Sequence, residues 1–246
     1  MTTNLPTQPI DAVLLDMDGT ILNSIKTAER IWSAWAQRHG VDVAAFLPTI
    51  HGVQSVETIR RLGMVGIDAE FEAATITRAE IDDVEGIEAI AGAAEFLTAL
   101  TGSRWGIVTS APRALALRRI EAAGLPTPTL LVAAEDVKNG KPRPDCFILA
   151  AERLGTTADR CLVIEDSLAG IAAAESAGAM VLVVTSTHDK LIESAHPTIL
   201  DYRDLVLEQV PNGYLWIRHA AAGVTPVQQC ISFLLNTAAR IESSQT

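Results

Sequence analysis

The sequence of 246 residues has few aromatic side chains, which make up 4% of it, and only three cysteines. Scarce aromatics and abundant alanine favour small-residue helix packing over an aromatic-rich β-sandwich. The cysteines are scattered, with no C-x-x-C pair and no zinc-ligand spacing, so a disulfide framework and a zinc finger are both poor fits. We therefore expect a reduced, cytoplasmic protein. The cysteines are Cys146, Cys161 and Cys230.

Positive charge is also scarce, because 19 Lys and Arg face 30 Asp and Glu, for a net charge of −11. This balance argues against nucleic acid and anionic membranes as partners, since binding to either depends largely on basic side chains. The N-terminus MTTNLPTQP lacks the basic and apolar regions of a signal peptide, and no apolar run approaches the ~20 residues that span a bilayer. If such a protein handles an anion, positive potential must come locally from a metal ion, a lysine or a helix N-terminus.

Short apolar runs that end in polar residues alternate with alanine-rich helical stretches. Such runs suit buried strands of a parallel sheet, and the alternation predicts a doubly wound α/β fold. In that fold the ligand site lies at the carboxyl ends of the strands. The runs are AVLLDMDGT (12–20), WGIVTSAP (105–112), CLVIEDS (161–167) and MVLVVTSTH (180–188), and the intervening helices are expected to end near Gly124, Gly155 and Gly178.

A long helical segment separates the first of these strands from the second. It far exceeds one crossover helix, so we predict an inserted helical cap over 23–87 and a core made of 1–22 and 88–246. The core carries a C-terminal extension from about 208, in which VPNGYLWIRH suggests a turn with a short strand. A helix beginning at Thr225 would follow, either as core packing or as a subunit contact, and a monomer and a dimer both remain open.

The pentapeptide DMDGT places Asp16 and Asp18 two residues apart at a strand end, where both can project into the same crevice. Gly19 permits a sharp exit and Thr20 offers a hydroxyl. An aspartate accepts a phosphoryl group when charge and geometry are arranged for it. The second carboxylate then suits proton transfer, first to the leaving alcohol and later from water.

Two further strand ends supply groups for an anion. Thr109 and Ser110 precede a helix, where hydroxyls and free N–H groups form an anion cradle or merely cap the helix. Lys141 is held in a rigid turn between Gly140 and Pro142. An ammonium there can pair with both a phosphate and a carboxylate nucleophile.

Glu165 and Asp166 close a strand of apolar residues. Adjacent buried carboxylates are costly without a cation, so we expect a metal. Together with Asp16 and the Asp18 backbone carbonyl they form an oxygen-only set that suits Mg²⁺, with Ca²⁺ and Mn²⁺ also possible.

These residues give the sequence its resemblance to the haloacid dehalogenase-like superfamily of phosphotransferases, in the branch with a helical cap inserted after the first motif. The resemblance runs from about Ala12 to Leu205 and includes the phrases GKPRPDCF and VIEDSLAGIAAAESAGA. It implies a Rossmann-like core, an aspartyl-phosphate at Asp16 and acid/base chemistry at Asp18. It also implies phosphate binding by Thr109 and Lys141, and Mg²⁺ held by Asp16, Asp18 and Asp166, with Glu165 as a direct or outer ligand.

Comparison with the branches of the superfamily reduces the number of candidate activities. Haloacid dehalogenases and phosphonate hydrolases lack the second aspartate of the first motif, whereas Asp18 is present. β-Phosphoglucomutases carry a histidine on the first cap helix and an arginine in the cap's glycine loop, positions that fall here on Ala28 and about Ser55. Asn23 replaces the usual aspartate of the D-G-T-L-x-D-S pattern.

The cap loop THG and the core phrases VTSAPRALA and AAEDVKNGKPRP look most like phosphatases for 2-deoxyglucose 6-phosphate, hexitol phosphates and glycerol phosphate. The resemblance therefore implies a small phosphorylated metabolite, with Ser110, His51, Gly52 and Arg113 near it. His51 and Arg113 fit equally well as ordinary loop and surface residues. A phosphosugar mutase and a non-catalytic sugar-phosphate-binding protein are the alternatives.

Overall fold

The computed structural model describes residues 5, 9–188, 194–209 and 214–219, and its central feature is a sheet of six parallel strands. The sheet strands are β1 (Ala12–Leu15), β4 (Trp105–Val108), β5 (Leu131–Val132), β6 (Cys161–Glu165), β7 (Met180–Val184) and β8 (Thr198–Ile199). Their order across the sheet is β5-β4-β1-β6-β7-β8. From the central strand β1, the next sheet strands in the chain, β4 and β5, lie on one side, and β6 to β8 lie on the other. The predicted doubly wound α/β fold is confirmed.

Both faces of the sheet are covered, which explains why its strands are continuously apolar. Val13 and Leu15 of β1 point into one hydrophobic cluster, and Ala12 and Leu14 point into another on the opposite face. The first face packs against α5 (Ala93–Ala99) and α6 (Arg113–Ala122), and the second against α7 (Asp145–Arg153) and α8 (Leu168–Ser176). Gly124, Gly155 and Gly178 follow α6, α7 and α8 with positive φ, as predicted for helix C-termini.

Between β1 and β4 the chain forms a helical insertion with a hydrophobic cluster of its own. Trp32, Trp35 and Phe46 are the large rings of that cluster, with centroids 5.6 to 5.8 Å apart. The insertion lies between β2 (Leu22–Asn23) and β3 (Glu88–Ala89), which pair antiparallel. Its helices are α1 (Ile25–Arg38), α2 (Val43–Phe46), α3 (Ser55–Arg61) and α4 (Ala69–Asp82). The division into a 23–87 cap and a two-part core stays a prediction.

After the sheet, β9 (Leu205–Gln209) and β10 (Leu215–His219) form an antiparallel hairpin. The short strand expected in VPNGYLWIRH is β10. Its Leu215 pairs with Ile10 and joins the cluster on the α5 and α6 face, so this part of the extension packs on the core. The expected helix from Thr225 and Cys230 lie outside the described residues. Of the helices described, none combines the length and the apolar character that crossing a bilayer requires.

Candidate active site

Lys141 joins two carboxylates at the carboxyl edge of the sheet. Its Nζ lies 2.5 Å from Oδ1 of Asp16, which follows β1, and 2.7 Å from Oε1 of Glu165, which ends β6. The ammonium also donates to the carbonyl of Val108 at 3.1 Å. All three charged groups are buried. Side chains that are far apart in sequence therefore meet where the parallel strands end.

The charges in this group shift one another's pKa. Burial alone would lower the pKa of Lys141, but the carboxylates of Asp16 and Glu165 outweigh burial and hold that pKa above its usual value. Burial raises the pKa of Asp16 well above its ordinary value; Lys141 opposes this rise, while Glu165 and Asp166 add to it. One lysine thus compensates only part of the negative charge collected here, which leaves the site suited to a further cation.

Glu165 has every oxygen engaged. Its Oε1 accepts from Lys141, and its Oε2 accepts from the backbone N–H groups of Asp166 and Ser167, each at 2.9 Å, and from the Ser167 hydroxyl at 3.0 Å. A Cβ on Gly170 would stand 1.6 Å from Oε1, so α8 approaches this carboxylate as closely as glycine allows. Glu165 therefore anchors Lys141 and the start of α8.

Asp166 lies at the other side of the acidic group. Its Oδ1 accepts from the Thr20 hydroxyl at 2.9 Å, and its Oδ2 lies 3.4 Å from Nε2 of His188. Burial raises the pKa of Asp166 to about 6. Ligand oxygens of Asp16, Glu165 and Asp166 all fall within 4.8 Å of one another, a spacing that can hold a metal ion. Because both Glu165 oxygens are already bonded, Asp16 and Asp166 are the better donors.

A hydrogen bond and an ion pair fall on the same carboxylate oxygen of Asp18. The Ser24 hydroxyl donates to Oδ1 at 2.5 Å, and Nη1 of Arg119 lies 2.9 Å from that oxygen. Arg119 belongs to α6 and also reaches Oε1 of Glu80 at 3.0 Å, on α4 of the helical insertion. Arg119 and Glu80 are each about 95% buried, with exposures of 5% and 4%.

The loop at 50–54 of the insertion lies against the core beside these groups. Ser110 donates its hydroxyl to the carbonyl of Gly52 at 3.0 Å, and Gln54 donates to the carbonyl of Ala134 at 3.2 Å. Gly52 has φ +74°, and a Cβ there would stand 2.4 Å from the Ser167 hydroxyl. Glycine is thus required at position 52 both for its backbone conformation and for this contact.

A cavity of about 800 Å³ opens between the core and the insertion. Asp16, Asp18, Thr109, Ser110 and Asp166 line its core side. Its other walls include His51, Gly52, Glu29, Trp32, Ala28, Ser55 and His188. The cavity walls desolvate His51 and lower its pKa, although the residue as a whole remains exposed.

The predicted site residues thus come together with one exception. Arg113, expected near the substrate, does not line the cavity: its guanidinium lies 2.5 Å from Asp136 and 3.0 Å from the carbonyl of Leu131. Conversely, the sequence reasoning missed Arg119 and Glu80, which do line it. The sequence offered little indication of a role for Arg119 or Glu80, because both lie in helical stretches that contain several other charged residues.

Comparison with known proteins identifies the family. The chain belongs to the haloacid dehalogenase-like hydrolases, whose family model matches residues 10–178. Hexitol phosphatase A of Escherichia coli is 36% identical over 205 residues, which cover 81% of this chain and 95% of that protein. The 2-deoxyglucose-6-phosphate phosphatase 2 of Saccharomyces cerevisiae is 27% identical over 209 residues, covering 76% of this chain and 85% of the yeast protein.

A crystal structure of a hydrolase from Pseudomonas syringae has the same fold. It superposes with a TM-score of 0.67 at 25% identity and covers 74% of this chain and 88% of its own. The predicted resemblance to the haloacid dehalogenase-like superfamily, and within it to sugar and polyol phosphate phosphatases, is confirmed.

Proposed function

We propose that this protein is a Mg²⁺-dependent phosphatase that hydrolyses small sugar or polyol phosphate monoesters through an aspartyl-phosphate at Asp16. One observation carries the proposal: the buried Asp16 lines the cavity, bonded to Lys141 and within metal-binding reach of Asp166. A nucleophile, a fixed positive charge and a second carboxylate therefore converge on one point, which is what phosphoryl transfer needs.

In the first step Asp16 attacks phosphorus in line with the leaving oxygen. Lys141 faces this carboxylate and offsets the repulsion between two anions as they approach. Thr109 at the end of β4 binds a phosphate oxygen through its hydroxyl, because its N–H already donates to the carbonyl of Val132, and Ser110 binds through its hydroxyl or its N–H. The Ser110 hydroxyl is bonded to Gly52 in the structure, so binding phosphate there requires that hydroxyl to turn, or the N–H to serve instead.

The residues present fit a hard divalent cation. Asp16, Asp166 and the backbone carbonyl of Asp18 would hold it. Glu165 would act indirectly, by fixing the position of Lys141 beside Asp16. When bound, Mg²⁺ neutralises charge on the transferring phosphoryl group. The raised pKa values of Asp16 and Asp166 support this assignment, because burial first and the neighbouring carboxylates second disfavour the charged forms, and a bound cation would offset both effects.

Asp18 handles the proton in both steps. It protonates the leaving oxygen as the P–O bond breaks, and afterwards takes a proton from the water that attacks the aspartyl-phosphate. The helical insertion closes over the cavity that holds Asp16 and Asp18. Its loop at 50–54 then excludes water and contacts the leaving group. Contacts from Gly52 to Ser110 and from Gln54 to Ala134 hold the loop in place.

The charge of the cavity favours a neutral leaving group, such as a sugar or a polyol. Among the described lining residues Arg119 is the one lysine or arginine, and two carboxylates already compensate it. A second phosphate would meet Glu29 and Glu80 without a free cation. Ala28, at the position expected for the mutase histidine, and Ser55, close to the position expected for the mutase arginine, line the same cavity. These features support a phosphatase over a phosphosugar mutase.

A phosphate-release screen tests the proposal. Purified protein with Mg²⁺ is supplied with hexose, hexitol, pentose, glycerol and glycolate phosphates, and we expect turnover on neutral polyhydroxy leaving groups that chelation abolishes. Asp16→Asn should lose at least about 10³-fold in kcat, whereas Asp159→Asn, an exposed aspartate of the core, should not. A kcat of Asp16→Asn within about tenfold of the wild-type value, or tight sugar-phosphate binding without phosphate release, would contradict the proposal. Dependence on a bisphosphate primer would indicate the mutase instead.

The buried, unpaired state of Cys146 and Cys161 supports a reducing compartment, which we take to be the cytoplasm.

A further inference from the structure

Arg119 links the core to the helical insertion through a chain of three charges, in which Arg119 and Glu80 are buried and Asp18 is partly exposed. Its Nη1 is 2.9 Å from Oδ1 of Asp18, and its Nη2 is 3.0 Å from Oε1 of Glu80. The other arginines of α6 differ: Arg113 and Arg118 pair with acidic residues outside the cavity, and their side chains are 43% and 39% exposed. Of the three arginines of α6, only Arg119, which faces the cavity, is buried.

We propose that Arg119 is a positioning residue, which fixes the Asp18 carboxylate for proton transfer to the leaving group and makes this arrangement depend on Glu80 of the insertion. The inference rests on the proposed function, in which Asp18 is the general acid.

The contacts of Asp18 support the positioning role. The hydrogen bond from Ser24 and the ion pair with Arg119 both fall on Oδ1. No described residue donates to Oδ2, which leaves that oxygen to carry the transferred proton. A carboxylate fixed through one oxygen from two directions has little freedom to rotate, so its other oxygen keeps a defined place beside the leaving group.

The link to the insertion follows from the cost of burying charge. Glu80 is 4% exposed, and burial raises its pKa while Arg119 opposes that rise. An isolated buried charge is strongly unfavourable, so each of these two residues needs the other. If the insertion moves away from the core, Glu80 moves with it, and Arg119 keeps Asp18 as its one carboxylate partner. The acid is therefore fully fixed only when the insertion covers the cavity.

Arg119 is not saturated by these contacts. Its Nε and Nη2 have no hydrogen-bond partner with suitable geometry among the described residues, although both are buried. The Glu80 contact is thus an ion pair rather than an aligned hydrogen bond.

A comparison of leaving groups tests the proposal. For wild type and variants, kcat/KM is measured with glycerol phosphate, whose alkoxide must be protonated, and with p-nitrophenyl phosphate, whose phenolate leaves without a proton. This parameter reports the steps up to loss of the leaving group. General acid catalysis contributes about 10²- to 10⁴-fold. For Arg119→Met we expect a loss of about 10²-fold on glycerol phosphate and of less than about fivefold on the aryl ester.

A second variant guards against misfolding. Arg119→Met leaves Glu80 buried without its partner, so Glu80→Gln with Arg119→Met removes both charges and should unfold at a higher temperature than the single variant. The same discrimination between the two esters is expected in the double variant. The matched control is Arg118→Met, the adjacent arginine of α6, which pairs with Glu121 outside the cavity and should change neither ester's kcat/KM.

The outcomes separate the inference from the proposed function. If folded Arg119→Met and the double variant lose equal activity on both esters, or none, Arg119 is structural and the inference is wrong. If wild-type protein with Mg²⁺ hydrolyses neither ester nor any sugar phosphate, the proposed function itself fails. Selective loss on glycerol phosphate, with Arg118→Met unaffected, supports both.

Discussion

Gly19 and Asp166 are packed so closely that a Cβ on Gly19 would stand 2.1 Å from Oδ2 of Asp166. Gly19 also has φ +89°, a conformation that other residues adopt only with strain. The glycine of the DMDGT motif therefore serves two purposes: it turns the chain after β1 and leaves room for a carboxylate from the end of β6. The motif and Asp166 are complementary in shape as well as in charge.

The first prediction tests separately the two roles of Gly19, which are to turn the chain and to leave room for the Asp166 carboxylate. Gly19→Ala should destabilise the fold through backbone strain of about 1–2 kcal/mol and should also displace the Asp166 carboxylate. The matched control is Gly102→Ala, because Gly102 has φ +86° and nothing within 4 Å of an added Cβ. Gly19→Ala should lose at least as much stability in thermal unfolding as Gly102→Ala, because it adds the contact with Asp166 to the same backbone strain. Only Gly19→Ala should lose metal affinity by calorimetry, together with at least about tenfold in kcat/KM. Equal metal binding by the two variants would refute the second purpose.

The second prediction concerns the buried ammonium between Asp16 and Glu165. Lys141→Met should abolish phosphatase activity and lower the free energy of unfolding by about 3–5 kcal/mol without metal, because it leaves two facing carboxylates uncompensated. Adding Glu165→Gln should recover part of the stability and none of the activity. Lys138→Met, at an exposed lysine nearby, is the control and should change neither. Chemical denaturation and phosphate release measure the two effects. A Lys141→Met protein as stable as wild type would contradict the charge assignment.

The third prediction lies away from the site. Asp11 precedes β1 and accepts from Arg160 at 2.7 and 2.8 Å and from Thr156 at 3.0 Å. The hydrogen bonds from Arg160 hold the pKa of Asp11 below its usual value. Since the folded pKa is lowered, the stabilisation is present above about pH 4 and is lost as the pH falls through the folded pKa.

Asp11→Asn should therefore cost about 1 kcal/mol at pH 7, a modest value because the Arg160 side chain is half exposed. The difference from wild type should shrink below pH 4, and activity should not change. Asp159→Asn is the control, and both are measured by urea unfolding across pH. A stability difference that stays constant down to pH 2 would show that the contribution is not electrostatic.

Much of this site could be predicted from local sequence, because each motif lies at the end of a strand whose apolar run is visible. Asp16, Thr109 and Asp166 follow β1, β4 and β6, and parallel strands bring their carboxyl ends to one edge without further information. Lys141 was placed by its rigid turn rather than by a strand. These positions follow from periodicity and from the chemistry of the residues.

The link between Arg119 and Glu80 could not be predicted in this way. Each residue stands in a helix rich in charge, where a solvent-facing position is the ordinary expectation. Their burial arises only when α4 of the insertion packs against α6 of the core, a contact that no local pattern records. Arg113 illustrates the reverse: it lies next to the β4 motif in sequence, yet at the first turn of α6 its side chain turns to Asp136. β5 and β8 have two residues each, too few to show a pattern.

The last prediction links the metal to pH. Burial raises the pKa of Asp166 to about 6. For a carboxyl group this means that the folded, metal-free protein holds its proton at a pH where the unfolded chain has lost it. Stability from this group is therefore greatest below about pH 4, falls as the pH rises to about 6, and then levels off. A cation binds only the charged form, so its stabilising effect develops as the pH rises through about 6.

At a fixed Mg²⁺ concentration, the rise in Tm on adding metal should be small at pH 5 and larger at pH 7.5, with apparent affinity falling about tenfold per unit below pH 6 for one linked proton. The raised pKa of Asp16 steepens this fall. Asp166→Asn should lose most of the metal-induced rise at both pH values, while Asp159→Asn should match wild type. Differential scanning fluorimetry with and without Mg²⁺ measures the shift. If Mg²⁺ stabilises Asp166→Asn as strongly as wild type, Asp166 is not a ligand and the cation binds elsewhere.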